Sequence, residues 1–185
     1  TVREAAGDGR VLRLGATDDL AELLGLARPN MLVAYGLGDL NPYVTFTPRA
    51  VIELVQRLDS RMRYQNFLAP LPDLALVASP VLDLLRVQCL LSARPVQHPR
   101  LEPVLERAGF CVYRRLGALP PARIVPGATP STSDEEVLAA LSAPDADYAR
   151  TTRIAPEDSA RIPSSAPPAD WRAGTIAAVE RPAKN

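Results

Sequence analysis

One stretch decides the fold class: Ser79–Leu91, which reads SPVLDLLRVQCLL. Ser79 followed by Pro80 is typical of a helix start, because proline fits the first helical turn. We therefore predict a brief helix through Leu85. Val87–Leu91 follows at once and has the apolar character and length of a buried strand. A short helix that leads directly into a strand indicates a fold of interleaved helices and strands.

The same two kinds of element recur on both sides of this stretch. The residue pattern predicts further strands at Val11–Leu14, Met31–Tyr35, Asp73–Ala78, Phe110–Arg114 and Arg123–Val125. It predicts further helices from Thr17 to about Leu26, from the capping residue Thr47 to about Ser60, as a turn over Pro103–Ala108, and from Ser133 to near Pro144. Because the elements follow no strict strand–helix–strand rhythm, we expect an α/β (α+β) fold, a mixed sheet with short helices packed in layers.

Composition suggests a boundary near residue 150. We expect residues 1–150 to form one mixed α/β domain and residues 151–185 to form an extension rich in Pro, Ser and Ala. A last strand is predicted at Thr175–Val179, at a sheet edge or beside a partner outside the chain. The sequence opens at Thr1 without a methionine and stops at Asn185 just after that strand. We therefore expect a piece of a longer protein.

Charge and composition limit the classes of partner. The chain has 185 residues, with 21 Lys and Arg against 21 Asp and Glu. A net charge near zero gives no reason to expect nucleic acid or an anionic membrane surface as a partner. Apolar residues make up 47% of the chain, which indicates a folded protein rather than a disordered one. No run approaches the ~18–20 apolar residues that cross a bilayer.

The two cysteines, Cys89 and Cys111, both lie in apolar, strand-like runs. We expect two buried free thiols. A single bridge between neighbouring strands is the alternative, and it requires an oxidising compartment. Two cysteines cannot form a disulfide framework, and their positions give no zinc-binding spacing. The sequence therefore predicts no metal site at the cysteines.

Two polar patterns could carry chemistry, and each has a plainer interpretation. His98 is the only histidine and lies between Pro95 and Pro99 in a predicted surface loop. A general base needs a nucleophile and an orienting partner within reach, so we expect an ordinary surface residue here. Asp145 and Asp147 could bind a cation, but two carboxylates without a glycine turn or a closing glutamate fall far short of a calcium loop.

Two further patterns are also better explained by structure than by binding. Gly36–Gly38 follows a predicted strand, but Asn41 stands where a dinucleotide-binding loop needs its third glycine, and Pro42 prevents a helix start. The acids Asp134–Glu136 fall in one first helical turn, where they suit the positive end of the helix dipole. We therefore predict no catalytic, cofactor-binding or metal-binding residue in this chain.

Three segments in order carry a family resemblance. The first is Arg28–Tyr43 (RPNMLVAYGLGDLNPY) with Thr47–Arg49, the second is Leu82–Ser92 (LDLLRVQCLLS), and the third is Val112–Val125 (VYRRLGALPPARIV). A helix that starts Ser-Asp-Glu-Glu and the stretch Pro144–Tyr148 (PDADY) follow. Together they resemble the C-terminal extracytoplasmic region of YfhO-like bacterial membrane proteins, with "PN…YG…GY…P", "LDLLNVRYL", "VYRN…ALPRAFVV" and "DPDFD" in the same order.

The chain departs from that family at several positions. Arg86, Cys89 and Arg115 stand where the family has Asn, Tyr and Asn, and Pro121 replaces its usual Arg. The resemblance implies a parent protein with many membrane helices and a glycosyltransferase-C-like architecture, linked to sugar transfer onto cell-surface polymers. It also implies that the catalytic acids lie between membrane helices, outside this chain, so that no site residue is carried over.

We therefore expect an accessory domain on the extracytoplasmic side of the bacterial membrane, without catalysis of its own. Its expected partners are the membrane part of its own parent chain and a glycan or lipid-linked sugar, with no cofactor and no nucleic acid. Two alternatives stay open: a structural or protein-interaction module, and a small free-standing hydrolase. The hydrolase would need His98, or Asp145 with Asp147, buried in a cleft beside a nucleophile.

Overall fold

The computed structural model describes residues 1–15, 31–41, 48–64 and 67–161. The helices are α1 (Val2–Ala6), α2 (Met31–Ala34), α3 (Arg49–Leu58), α4 (Pro80–Leu84) and α5 (Asp134–Leu141), with 3-10 turns at Ser60–Met62, Leu74–Ala78 and Pro156–Arg161. The strands are β1 (Arg10–Leu14), β2 (Gly38–Asp39), β3 (Arg63–Tyr64), β4 (Phe67–Leu68), β5 (Val87–Ser92), β6 (Leu101–Arg107), β7 (Phe110–Arg115), β8 (Gly127–Pro130) and β9 (Thr151–Ile154). The helix predicted from Thr17, the Thr47 cap and the strand predicted at Thr175–Val179 lie outside the described residues.

The chain separates into two compact units, Thr1–Leu119 and Pro120–Asn185. The division therefore lies earlier than the boundary expected near residue 150. The residues around position 150 belong to the second unit, because β9 pairs in parallel with β8. Thr151–Ile154 was expected in an extension and instead forms part of that ladder.

A mixed five-stranded sheet in the order β2-β1-β5-β7-β6 organises the first unit. Strand β1 runs parallel to β2 and β5, whereas β7 runs antiparallel to β5 and β6. Short helices accompany the sheet, and α1 packs on β5 and β7. The predicted α+β fold with a mixed sheet and short helices is confirmed.

Both faces of this sheet are buried at its centre. On one face Val11, Cys89 and Val112 pack with residues of α1 in a single apolar cluster. The register places Leu90 opposite Tyr113 on the other face, and both are at most 1% exposed. A strand covered on both faces is apolar at nearly every position. This explains why β5 could be recognised as a strand from its sequence.

The expected strand at Met31–Tyr35 is wrong, because Met31–Ala34 forms helix α2. The helix ends in a Schellman motif, with the N–H of Leu37 donating to the carbonyl of Leu32 and the N–H of Gly36 donating to that of Val33. Gly36 has a φ of 69°, which is costly for residues with a Cβ. A five-residue apolar run fits a helical turn as well as a strand, and the glycine end signal decides between them.

Three more local predictions are wrong. Asp73–Ala78 is not a strand, because Leu74–Ala78 forms a 3-10 turn that the carboxylate of Asp73 caps by accepting from the N–H of Ala75. Pro103–Ala108 is not a helical turn but belongs largely to strand β6. Arg123–Val125 forms no strand, and pairing begins at Gly127.

Other elements agree with the sequence pattern. Helix α3 follows directly on Pro48, and its Leu54 and Val55 are buried as the apolar spacing predicts. Helix α5 has Ser133 as its cap, whose hydroxyl accepts from the N–H of Glu136. Among the described residues no helix combines the length and the apolar character that crossing a membrane requires.

Candidate functional site

A buried ion-pair cluster joins α4 to β7. Arg115, whose side chain is fully buried, contacts Asp83 with 2.6 Å between Nη1 and Oδ1. Arg100 contacts the same carboxylate with 3.0 Å between Nη1 and Oδ2. Gly117 packs tightly beside the cluster, because a Cβ at this position would lie 3.0 Å from Oδ1 of Asp83. The two arginines therefore share one carboxylate, and a side chain at position 117 would press on this pair.

The guanidinium of Arg115 also holds backbone carbonyls. It donates to Val77 from Nε at 2.9 Å, to Val87 from Nη1 at 3.4 Å, and to Ser79 from Nη2 at 3.1 Å. Burial lowers the pKa of Arg115, and the negative charge of Asp83 opposes that shift. Each guanidinium nitrogen has a protein acceptor, so this group stabilises the interior rather than binding an incoming ligand.

A second buried cluster lies where β1 and β2 end. Arg13 and Asp39 form a bidentate pair, with Nη1–Oδ1 and Nη2–Oδ2 distances of 2.8 and 2.9 Å. The N–H of Asn41 donates to Asp39 at 2.9 Å, and its Nδ2 donates to the carbonyl of Ala69 at 2.8 Å. The carboxyl ends of parallel strands often carry ligand sites. Here the polar groups bind mainly one another, although Nε of Arg13 is buried without a partner in the described part of the chain.

An open groove of about 500 Å³ lies beside the loop between β5 and β6 and contains the single histidine. We name it the His98 groove; its lining residues are Val96, Gln97, His98, Pro99, Leu101, Pro103 and Glu106. Contacts along the loop hold the groove in shape. The N–H of Val96 donates to the Tyr113 hydroxyl at 3.0 Å, and the N–H of Arg100 donates to Nδ1 of His98 at 3.1 Å.

The polar groups of the groove have defined roles in hydrogen bonding. Tyr113 donates its hydroxyl proton to Oε1 of Glu106 at 2.8 Å. Burial raises the pKa of Tyr113 to about 12, so the hydroxyl keeps its proton at neutral pH. Since Nδ1 of His98 accepts a backbone N–H, the neutral ring carries its proton on Nε2. The groove thus offers a carboxylate, an imidazole N–H and the amide of Gln97.

The acidic loop lies beside a separate cavity of about 290 Å³ in the second unit, lined in part by Asp145, Asp147, Tyr148 and Arg153. Asp147 is used locally, because its Oδ1 accepts from the N–H of Ala149 at 3.1 Å. The Tyr148 hydroxyl donates to a backbone carbonyl of α5. Within the described ranges, no group of three or more His, Cys, Asp or Glu side chains could hold a metal ion.

Cys89 and Cys111 are both buried and free. Their strands are neighbours, but the register pairs Cys89 with Arg114 and Cys111 with Ser92. Side chains alternate between faces along a strand, so the two thiols leave the sheet on opposite sides and cannot reach each other. Burial raises the pKa of the Cys89 thiol to about 12, which makes it a poor nucleophile at neutral pH.

Part of this arrangement of polar residues can be predicted from the sequence. His98 lies in the predicted loop, but it is half-buried and lines a groove instead of pointing freely into solvent. Glu106 and Tyr113 were missed, because only the register of β6 on β7 brings them to the loop. Asp145 and Asp147 both line the cavity in the second unit.

No family model, no curated protein and no solved structure gives a significant match to the chain.

Proposed function

We propose that this chain is an accessory extracytoplasmic domain of a YfhO-like bacterial membrane protein that takes part in cell-surface sugar transfer. The reaction itself would take place in the membrane part of the parent protein. In this proposal the domain packs on that membrane part and helps to hold a glycan or a lipid-linked sugar.

The observation that carries the proposal is the place of the three resembling segments in the fold. They contain β2, β5 and most of β7, which are three of the five strands of one sheet. Strand β5 of the second segment pairs with β7 of the third, and β2 of the first pairs with β1. Segments that share one interior are constrained by their packing, so distant relatives are expected to keep them in the same order along the chain. This agrees with the proposed family relationship.

Arg86 gives a second line of support. It has a φ of 59°, in the left-handed region. Asn and Gly adopt that conformation at much lower cost than other residues. The resembling family has Asn at this position, so the resemblance agrees with the backbone conformation of this chain.

A surface around α2 supports the expected contact with the parent chain. Met31, Val33 and Tyr35 are 43%, 53% and 62% exposed, although all three are large apolar or aromatic side chains. They belong to the first resembling segment. Met31 and Tyr35 are four positions apart, the spacing at which helical side chains are neighbours, and adjoining exposed apolar side chains are typical of docking surfaces. The membrane part of the parent chain is the partner that the proposal assigns to them.

The contacts of the polar side chains in the described residues favour a role in ligand binding over a role in catalysis. Asp83, Arg115, Arg13 and Asp39 bind one another inside the first unit. The described residues that line the His98 groove include no serine, threonine or cysteine. A hydrolase built on His98 would need such a nucleophile next to this base, so the described residues of this groove favour the accessory role.

An immunoblot of fractionated native cells, with an antibody raised against this chain, tests the proposal. We expect a band in the membrane fraction far heavier than the 19.9 kDa of the chain. A washed membrane fraction controls for loosely attached protein. A band near 19.9 kDa in the soluble fraction would contradict the proposal.

A further inference from the structure

We propose that the His98 groove binds a neutral saccharide. This inference deepens the function proposed above and rests on it. The groove has a volume of about 500 Å³, within the range of about 300–1,000 Å³ typical of small-molecule sites. Its position beside a loop fixed at several points gives it a defined shape before any ligand arrives.

The hydrogen-bonding groups of the groove match those of a sugar ring. Sugar hydroxyls both donate and accept, and therefore need both acceptors and donors close together. Glu106 supplies acceptors, Nε2 of His98 supplies a donor, and the Gln97 amide supplies both. Pro99 and Pro103 add apolar surface against which the C–H face of a sugar can pack.

Two of the polar groups of the groove, His98 and Glu106, are also held in position in advance. Tyr113 is 1% exposed and fixes both Glu106 and the N–H of Val96. The N–H of Arg100 fixes the ring of His98, and Arg100 itself is anchored on Asp83. A site whose groups are already ordered loses less entropy on binding than a flexible one.

Other ligand classes fit less well. Among the lining residues that the structure describes, Glu106 carries a carboxylate and there is no Lys or Arg, so a phosphate or an acidic polymer would be repelled. An extended peptide would add to the outer edge of β6, which no other strand of the described sheet covers. That edge is interrupted, because Pro103 has no N–H and the register shifts between Pro103 and Leu105. A neutral polyhydroxylated ligand is left as the best match.

The whole chain can be tested by NMR with isotope labelling. His98 is the only histidine, so one imidazole signal reports on the groove without ambiguity. The probes are methyl α-D-glucopyranoside, methyl β-D-galactopyranoside and N-acetylglucosamine, each titrated over the millimolar range. We expect at least one of them to shift the His98 imidazole and the amides of Gln97 and Glu106 in a saturable manner.

Two matched variants separate the groove from the rest of the strand. Glu106→Gln keeps the shape of the side chain but removes its charge, and we expect it to weaken binding about tenfold, the equivalent of one charge-assisted hydrogen bond. Glu102→Gln changes an exposed residue of β6 that is paired with Arg114 at 3.5 Å and does not line the groove. We expect this control to bind as the unchanged chain does. Unchanged amide signals far from the groove show that each variant is folded.

Three results would overturn the inference. They are no saturable shift in the groove with any of the sugars, equal affinity of the Glu106→Gln and Glu102→Gln variants, and saturable binding of an extended proline-rich peptide at β6 in place of sugar. None of these outcomes affects the fractionation result. Failure of this inference can therefore be distinguished from failure of the proposed function.

Discussion

Arg86 occupies the position after the C-cap of α4, where a helix usually ends with Gly or Asn in the left-handed region. Its N–H donates to the carbonyl of Asp83 at 3.0 Å, and its carbonyl accepts from the N–H of Arg10 at 2.7 Å. The side chain forms an ion pair with Asp8 at 2.8 Å. The position therefore combines a costly backbone conformation with contacts that tie α4 to the start of β1.

Two substitutions at Arg86 test the free-energy cost of its left-handed backbone conformation. Arg86→Ala and Arg86→Gly both remove the ion pair, but only glycine adopts the left-handed conformation without steric cost. We expect Arg86→Gly to be about 1 kcal/mol more stable than Arg86→Ala. Urea unfolding of the two variants measures this difference. If alanine were the more stable of the two, the position would not be left-handed in solution.

Because Cys89 is buried, its thiol should make the unfolding free energy fall at alkaline pH. Burial raises the pKa of its thiol from 9.0 to about 12, so the folded chain binds its proton more tightly than the unfolded chain. This contribution is complete below about pH 9 and is lost as pH rises toward about pH 12, by about 1.4 kcal/mol per pH unit at most. Unfolding free energies measured across this range test the prediction.

A Cys89→Ala variant is the control for that pH series. It should be less stable at neutral pH, because a buried sulfur is lost, but its stability should no longer fall between about pH 9 and pH 10. Tyr113, whose pKa burial raises to about 12, adds a loss only above its ordinary value of 10.0. Equal slopes for both proteins below pH 10 would show that Cys89 does not carry the effect.

At the scale of elements, the sequence predicts what depends on local pattern and misses what depends on pairing. Strand β5 and helix α3 were recognised, because burial on two faces and an apolar helical stripe leave clear patterns. Strand β6 was taken for a helical turn, since Pro103 and its charged neighbours look unlike a strand. It pairs with β7 as the outer strand of a hairpin, and an edge strand tolerates such residues.

The candidate site follows the same rule. The single His98 could be chosen from composition, and its loop from the flanking prolines. Its partners could not be predicted, because Glu106 meets Tyr113 only through the β6–β7 register. Likewise, nothing local in the sequence pairs Asp83 with Arg115.

The Asp83–Arg115 pair should be the most sensitive polar contact between α4 and β7. Asp83→Asn leaves the fully buried guanidinium of Arg115 without its counter-charge, and we expect a loss of about 3–5 kcal/mol in unfolding free energy. Asp134→Asn, at an exposed position in the first turn of α5, should cost less than about 1 kcal/mol. Chemical denaturation measures both variants, and similar losses would contradict the assigned role of Asp83.

At the scale of the whole molecule, the first unit has the parts of an independent domain. All strands of the five-stranded sheet, together with α1 to α4, lie within Thr1–Leu119. We therefore expect a fragment of residues 1–119 to unfold cooperatively on its own. Circular dichroism during heating, compared with the full chain, tests this expectation. A fragment without a cooperative transition would show that the first unit needs the rest of the chain.

We propose that this domain lies on the extracytoplasmic side of the membrane as part of a larger protein. The most direct test adds protease to intact cells, or to spheroplasts where an outer membrane is present, and follows the chain by immunoblot. A cytoplasmic protein that stays uncut is the control. We predict that the heavy membrane-bound band is cleaved before lysis. A band that is protected in intact cells and cleaved only after lysis would contradict the account.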